Sequence, residues 1–213
     1  MGGSDVTEYF VPTGEGLDSF VEKRSEFIGH VWPVDSEEQA RARIEETKKE
    51  HYDARHNCWC YLLKDGPVRY SDDGEPQGTA GQPMLGVFQK AGVTNLCCVV
   101  TRYFGGVLLG AGGLVRAYTQ AAKLALDAAG VSVVRRWVEV EVACPYSLFE
   151  RVKNEAAAQG GVLGDIAYTD QVTVRVLLPE EKTASFTDRM VELSAGACRA
   201  VELGESFQAV PVK

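Results

Sequence analysis

Residues 102–116 read RYFGGVLLGAGGLVR, so that Gly105, Gly106, Gly110, Gly112 and Gly113 stand between an apolar run and a periodic one, with Arg102 and Arg116 at the two ends. Glycine loses more freedom on folding than any other residue, so a turn this rich in it is costly to order. Where such a turn hands a strand over to a helix, the first helical amides lack intrahelical acceptors and carry partial positive charge. A phosphate or carboxylate fits there, and the flanking arginines would add charge. The same glycines would also serve a tight crossover that binds nothing. Neither nucleotide signature holds. Gly105 and Gly110 have the spacing of the P-loop glycines, but Ala111 and Gly112 stand where its Lys and Ser or Thr belong. Val115 stands where the dinucleotide fingerprint needs its third glycine. Tyr103 and Phe104 lie beside the turn, where a ring could stack on a base. Neighbouring strand residues point oppositely, and Phe104 is expected to be the buried one.

A second group is the loop SDDGEPQGT, residues 71–79. Asp72, Asp73 and Glu75, with Thr79 close by, could collect Mg²⁺ or face a cationic partner, although Asp and Gly also simply make turns. The loop does not fit the EF-hand pattern, and no further carboxylate cluster completes a two-metal site. His56, Cys58 and Cys60 alternate, which on a strand puts them on one face as soft zinc ligands. No fourth ligand is evident nearby, and core cysteines beside a histidine are the simpler reading. No GxSxG elbow or HExxH helix occurs, and Cys58 near His56 reads as packing rather than a dyad. No catalytic residue, metal or cofactor is therefore assigned. His30 and His51 offer nothing sharper, and the run 48–50 reads as a solvated helix face.

The elements that position these groups follow from periodicity. The 213 residues are 45% hydrophobic and 24% charged, which suits two modest cores, and the expected domains are 1–134 and 135–213. Residues 27–34 read as a strand. Asp35 and Ser36, with Glu38 and Gln39 at capping-box spacing, open a helix to Glu50 whose apolar face is thin: Ala40, Ile44 and Thr47. Residues 57–63 form another strand, followed by the polar loop. Thr79 and Gln82 have capping spacing before a short helix with Met84, Leu85, Val87 and Phe88, closed by Gly92. Residues 95–101 read as a central strand, apolar on both faces. After the glycine turn, Leu114, Ala117, Tyr118, Ala121, Leu124, Ala125 and Ala128 mark a helix stopped by Gly130.

A short linker is expected at Arg135, Arg136 and Trp137, with the indole between the domains. Val138, Val140 and Val142 then alternate with Glu139 and Glu141, a strand with one wet face. A helix opened by Pro145 and stopped by Gly160, a hairpin of 162–168 and 171–178 around Thr169 and Asp170, a helix with Phe186, Met190 and Leu193, and a strand at 199–203 complete the order βαββαβ. That order is the split βαβ, or ferredoxin-like, unit, and the fold class is α+β.

Charge limits the partners. Lys and Arg number 22 against 30 Asp and Glu, a net −8, which argues against a broad grip on nucleic acid or an anionic membrane. No DNA-specific signal, secretory signal or myristoylation pattern is present, since Val6 stands where Ser or Thr is needed. Apolar runs such as 96–100 are far too short to span a bilayer. A cytoplasmic location is expected. Cys58, Cys60, Cys97, Cys98, Cys144 and Cys198 contain no CxxC pair and predict no disulfide framework.

Three blocks, DARHNC at 53–58, SDDGEPQGTAGQPML at 71–85 and VVTRYFGGVLLGAGGLVRAY at 99–118, together resemble the YigZ/IMPACT family, bacterial two-domain type. The resemblance implies a first domain like the second domain of ribosomal protein S-five, also seen in elongation factor EF-G, and a ferredoxin-like second domain similar to EF-G's last. Eukaryotic relatives regulate translation by competing for the activator of a kinase acting on an initiation factor, using an additional amino-terminal module. These 213 residues leave no room for that module, and the role is not carried over. The implied function is a non-catalytic regulator or accessory factor of translation that binds RNA, the ribosome or a translation-associated protein. Its contacts would come from Arg102, the glycine turn and Arg116, with Arg55 and His56 beside them. Glu26 stands where relatives often carry a basic residue, which weakens any phosphate contact there. The alternative is a metal-dependent hydrolase or transferase acting on a phosphate-containing substrate through Asp72, Asp73 and Glu75.

Overall fold

The structure is a computed structural model that describes residues 8–212. The chain divides into two compact units, Tyr9–Val134 joined by residues 209–212, and Arg135–Gln208 joined by Glu8.

The first unit is built on an antiparallel sheet in the order β2-β3-β6-β4-β5: β2 (Gly16–Glu22), β3 (Ser25–Pro33), β4 (His56–Leu62), β5 (Val68–Ser71) and β6 (Leu96–Tyr103). The central strand is β6, and its apolar run is explained by helices on both faces. Cys98 and Val100 join a core with Phe27, Met84 and Phe88 on α2 (Gly81–Ala91) and with Tyr118 and Ala121 on α3 (Ala111–Ala129). Cys97 and Val99 face the other way, onto Trp32, Tyr61, Ala40 and Ile44, the last two on α1 (Glu37–Glu50). Helix α1 starts as its capping box dictates: Ser36 Oγ accepts from the Gln39 amide at 3.2 Å, and Gln39 Oε1 accepts from the Asp35 amide at 2.8 Å. Helix α2 ends at Gly92 in the left-handed conformation, φ 67°.

Three strands escaped the periodicity. β1 (Tyr9–Pro12), which pairs with residues 131–134, and β5 are four residues each, and β2 is mostly exposed along its length. The expected linker at Arg135–Trp137 does not exist, because β7 (Val131–Cys144) runs through it without a break. Trp137 is buried, and its indole N–H donates to the Gln208 carbonyl at 3.1 Å.

The second unit follows β7 with one turn of 3-10 helix after Pro145, then α4 (Phe149–Ala158), β8 (Val162–Tyr168), β9 (Val172–Pro179), α5 (Glu180–Leu193) and β10 (Arg199–Pro211). The strand order is β10-β7-β9-β8. Val138, Val140 and Val142 pack with Val174, Val176, Phe186 and Met190, while Glu139 and Glu141 lie 3.9 and 4.0 Å from Arg175 on the wet side. The last strand runs on to Pro211, well beyond residue 203. The fold is thus α+β, with two antiparallel sheets and five α-helices among the described residues. No helix of the described residues is long and apolar enough to cross a membrane.

Candidate functional site

The acidic loop between β5 and α2 holds its carboxylates apart. Asp72 accepts from the backbone amides of Gly78 at 2.8 Å, Ala80 at 3.0 Å and Gly81 at 2.9 Å, so it caps α2 from nine residues upstream. The Thr79–Gln82 cap is therefore replaced: Thr79 is buried and its hydroxyl donates to the Pro76 carbonyl at 2.6 Å. Asp73 accepts from the Asn57 amide at 2.7 Å and from Lys48 Nζ at 3.2 Å. Glu75 turns inward, 8% exposed, and accepts from Arg102 Nη1 at 2.6 Å and the Tyr118 hydroxyl at 2.8 Å. Three carboxylates with three separate sets of donors do not make the metal cluster read from their spacing, and no group of three or more His, Cys, Asp and Glu able to hold a metal occurs among the described residues.

The strand β4 supplies the next groups. His56 Nδ1 lies 2.8 Å from the Asp73 carbonyl, which can only accept, so Nδ1 carries the proton and Nε2 is left 3.8 Å from Glu75 Oε2. Cys58 Sγ donates to the Asp72 carbonyl, and burial pushes its thiol pKa far up, as a packing residue requires and a nucleophile does not.

Arg102 does not stand free beside the turn. It is 5% exposed, with Nη1 on Glu75 and Nη2 3.3 Å from Ser25 Oγ, and its charge is balanced inside the fold. Its Nε is buried and has no acceptor among the described residues. The guanidinium lies 5.4 Å from the ring centroids of both Phe27 and Phe104. Phe104 itself is 46% exposed, against the expectation that it is buried. The reason is that β6 ends at Tyr103, so strand alternation no longer governs the next residue. Tyr103 is the ring that is tied down, its hydroxyl 2.9 Å from His51 Nδ1 and 3.2 Å from Asp53 Oδ1.

The five glycines have different duties. At Gly105 the amide donates to Ser25 Oγ at 3.2 Å, and a Cβ would collide with the Arg24 carbonyl in the β2–β3 turn. Gly106 and Gly110 have φ of 83° and 73°, left-handed conformations that disfavour a side chain. In α3 the Leu114 amide is the first to reach a helical acceptor, the Gly110 carbonyl at 3.0 Å, which leaves Ala111, Gly112 and Gly113 as the open positive end. Arg116 lies further along α3 with Phe20, Lys23 and Gly113 around a separate hollow of about 160 Å³. Arg102 and Arg116 therefore do not clamp one site.

What the fold assembles is a cleft of about 580 Å³. It unites Arg55, His56, Glu75, Arg102 and Gly110 from the residues singled out in the sequence, and adds Phe104, Leu108 and Leu109. Asp72, Asp73, Thr79, Gly105, Gly106, Gly112, Gly113 and Arg116 are not part of its lining. Leu108 is 82% exposed, an apolar side chain held out by the turn, and its place among the glycines was the one sequence signal for this wall. An exposed arginine, a balanced ion pair, a helix start, an imidazole and an aromatic face can hold an anionic group and stack a planar one.

Residues 23–126, which contain the whole lining of the cleft, match the Impact N-terminal domain, and residues 142–197 match a domain of unknown function, DUF1949. The chain is 38% identical over 191 residues to the IMPACT family member YvyE of Bacillus subtilis, covering 88% of each. It is 35% identical over 187 residues to the IMPACT family member YigZ of Escherichia coli, covering 86% of this chain and 92% of that one. Protein IMPACT of Mus musculus is 34% identical over 110 residues, 49% of this chain and 34% of its own length. A solved structure described as "Crystal structure of an hypothetical protein" superposes with a TM-score of 0.57 at 32% identity, covering 92% of this chain and 98% of that one. With matches of this length running through both units, the chain belongs to the IMPACT family.

Proposed function

We propose that this protein is a non-catalytic factor of translation, working in the cytoplasm, whose first unit binds RNA, free or within the ribosome, through the cleft between the acidic loop and the start of α3. One observation carries the reading: the exposed Arg55, the exposed ring of Phe104 and the open start of α3 line a single cleft. A cationic side chain and unpaired helix amides facing one hollow favour an anionic group there. The commitment of Asp72 and Asp73 to backbone amides and Lys48 supports binding over metal-dependent hydrolysis. With a net charge of −8, attraction is confined to this patch and extends over few phosphates.

The test is binding to ribosomal subunits and to short RNAs across a salt series. Arg55 is the clean probe, because it is exposed at the rim, whereas removing Arg102 unbalances Glu75. Arg55→Glu should weaken binding at least tenfold at low salt, and Arg116→Ala should leave it unchanged. Equal binding by wild type and Arg55→Glu, or no binding to either target, refutes the proposal.

A further inference from the structure

Resting on that reading, we infer that the cleft takes one step of single-stranded RNA: a singly charged phosphodiester at the start of α3, with the adjoining base stacked on Phe104. The charge inventory selects the phosphate. Arg102 and Glu75 cancel as a buried pair 2.6 Å apart, and His56 Nδ1 is held by the Asp73 carbonyl. Arg55 contributes one positive charge and the start of α3 about half of one, so the cleft is matched to a single negative charge. A triphosphate, with several, would exceed the positive charge that Arg55 and the helix start supply.

Shape and polarity select the rest of the ligand. A volume of about 580 Å³ is suited to one nucleotide rather than a folded surface. Phe104 presents an exposed ring with the Arg102 guanidinium 5.4 Å from its centroid, which anchors the ring and leaves a face for a base. Bases inside a duplex cannot reach it. Leu108 and Leu109 add apolar surface to a lining that also holds Glu75 of the acidic loop. Glu75 Oε2, 3.8 Å from His56 Nε2, is an acceptor, so the ligand should bring a donor, which the ribose 2′-hydroxyl or an exocyclic amine supplies.

The experiment is fluorescence anisotropy of the full chain with a labelled single-stranded RNA hexamer, competed by the dinucleoside monophosphate ApA, by its deoxy counterpart, by ATP and by duplex RNA. ApA should compete best, and the logarithm of affinity should fall with the logarithm of salt at a slope of about −0.7 to −1.4, that of one or two phosphates on a single strand. Phe104→Ala, a change at an exposed ring, should weaken hexamer binding about tenfold or more without altering this slope. Arg55→Ala should reduce the slope by about 0.7. Stronger competition by ATP or duplex, a slope of about −4 or steeper, or indifference to Phe104→Ala would overturn the inference while leaving RNA binding by another surface. Failure to bind any RNA or ribosomal subunit would overturn both.

Discussion

Breaking the Arg102–Glu75 pair should destabilise the first unit more from either side alone than the pair is worth intact. The two groups meet at 2.6 Å with side chains 6% and 4% exposed, across 27 residues of sequence. At an effective dielectric constant of about 20 their attraction at contact is roughly 4–6 kcal/mol, and desolvation of two charges takes most of it back. Truncating one partner leaves the other as an uncompensated buried charge, for which about 3–5 kcal/mol is expected. Arg102→Ala should fall in that range. Glu75→Ala should lie at its top, because it also strands the Tyr118 hydroxyl, a loss of about 1–3 kcal/mol. The double variant should cost less than the sum of the singles by about 2–3 kcal/mol or more. Urea unfolding followed by tryptophan fluorescence reads this directly, since Trp32 and Trp59 both lie in the first unit. Single costs under about 1 kcal/mol, or additive effects, would show that the pair is solvated and refute the reasoning. The result also governs how ligand binding is interpreted, because lost binding in Arg102→Ala reports on the fold before it reports on contact.

Asp72→Ala should destabilise by about 2–4 kcal/mol, because one carboxylate serves three backbone amides at the start of α2. Asp72→Asn should cost less, and neither EDTA nor Mg²⁺ should move the melting temperature of either variant relative to wild type. A metal-dependent shift that only wild type shows would restore the metal reading of the loop. His30 gives a pH dependence. Burial lowers its pKa from the ordinary 6.5 and outweighs the opposing Glu15 carboxylate 2.5 Å from Nε2. Below the unfolded pKa the unfolded chain takes up a proton that the folded chain resists. His30 therefore contributes fully above about pH 6.5, and that contribution is lost as pH falls through the folded pKa. Wild-type stability measured by urea unfolding should rise from about pH 5 to 7 more steeply than that of His30→Gln; equal slopes would dismiss His30 as the cause.

Local order was legible where the chain states it locally. The Ser36 and Gln39 box, the Gly92 stop and the doubly buried β6 appear at the expected positions, because each depends on neighbours within a few residues. The buried face of α3 instead turns at its end to Leu126 and Ala129, leaving Leu124 half-buried and Ala128 exposed. The edge strands were silent, since β2 reads GLDSFVE with most of its side chains in water and β5 has four residues. The candidate site was half legible for the same reason. Spacing identified the glycine turn and the acidic loop, and the cleft does run between them. Spacing says nothing about which carboxylate turns inward, and of three candidates within four residues only Glu75 meets Arg102. That choice follows from backbone demands. Asp72 is claimed by the unsatisfied amides of α2 and Asp73 by the Asn57 amide, which leaves Glu75 to balance an arginine that register places opposite His56. Because β6 stops at Tyr103, Phe104, the first residue past the strand end, lies outside the alternation and on the rim. The exposed ring that was expected in the core thus follows from where β6 stops, and the buried arginine that was expected at the surface follows from its partners Glu75 and Ser25.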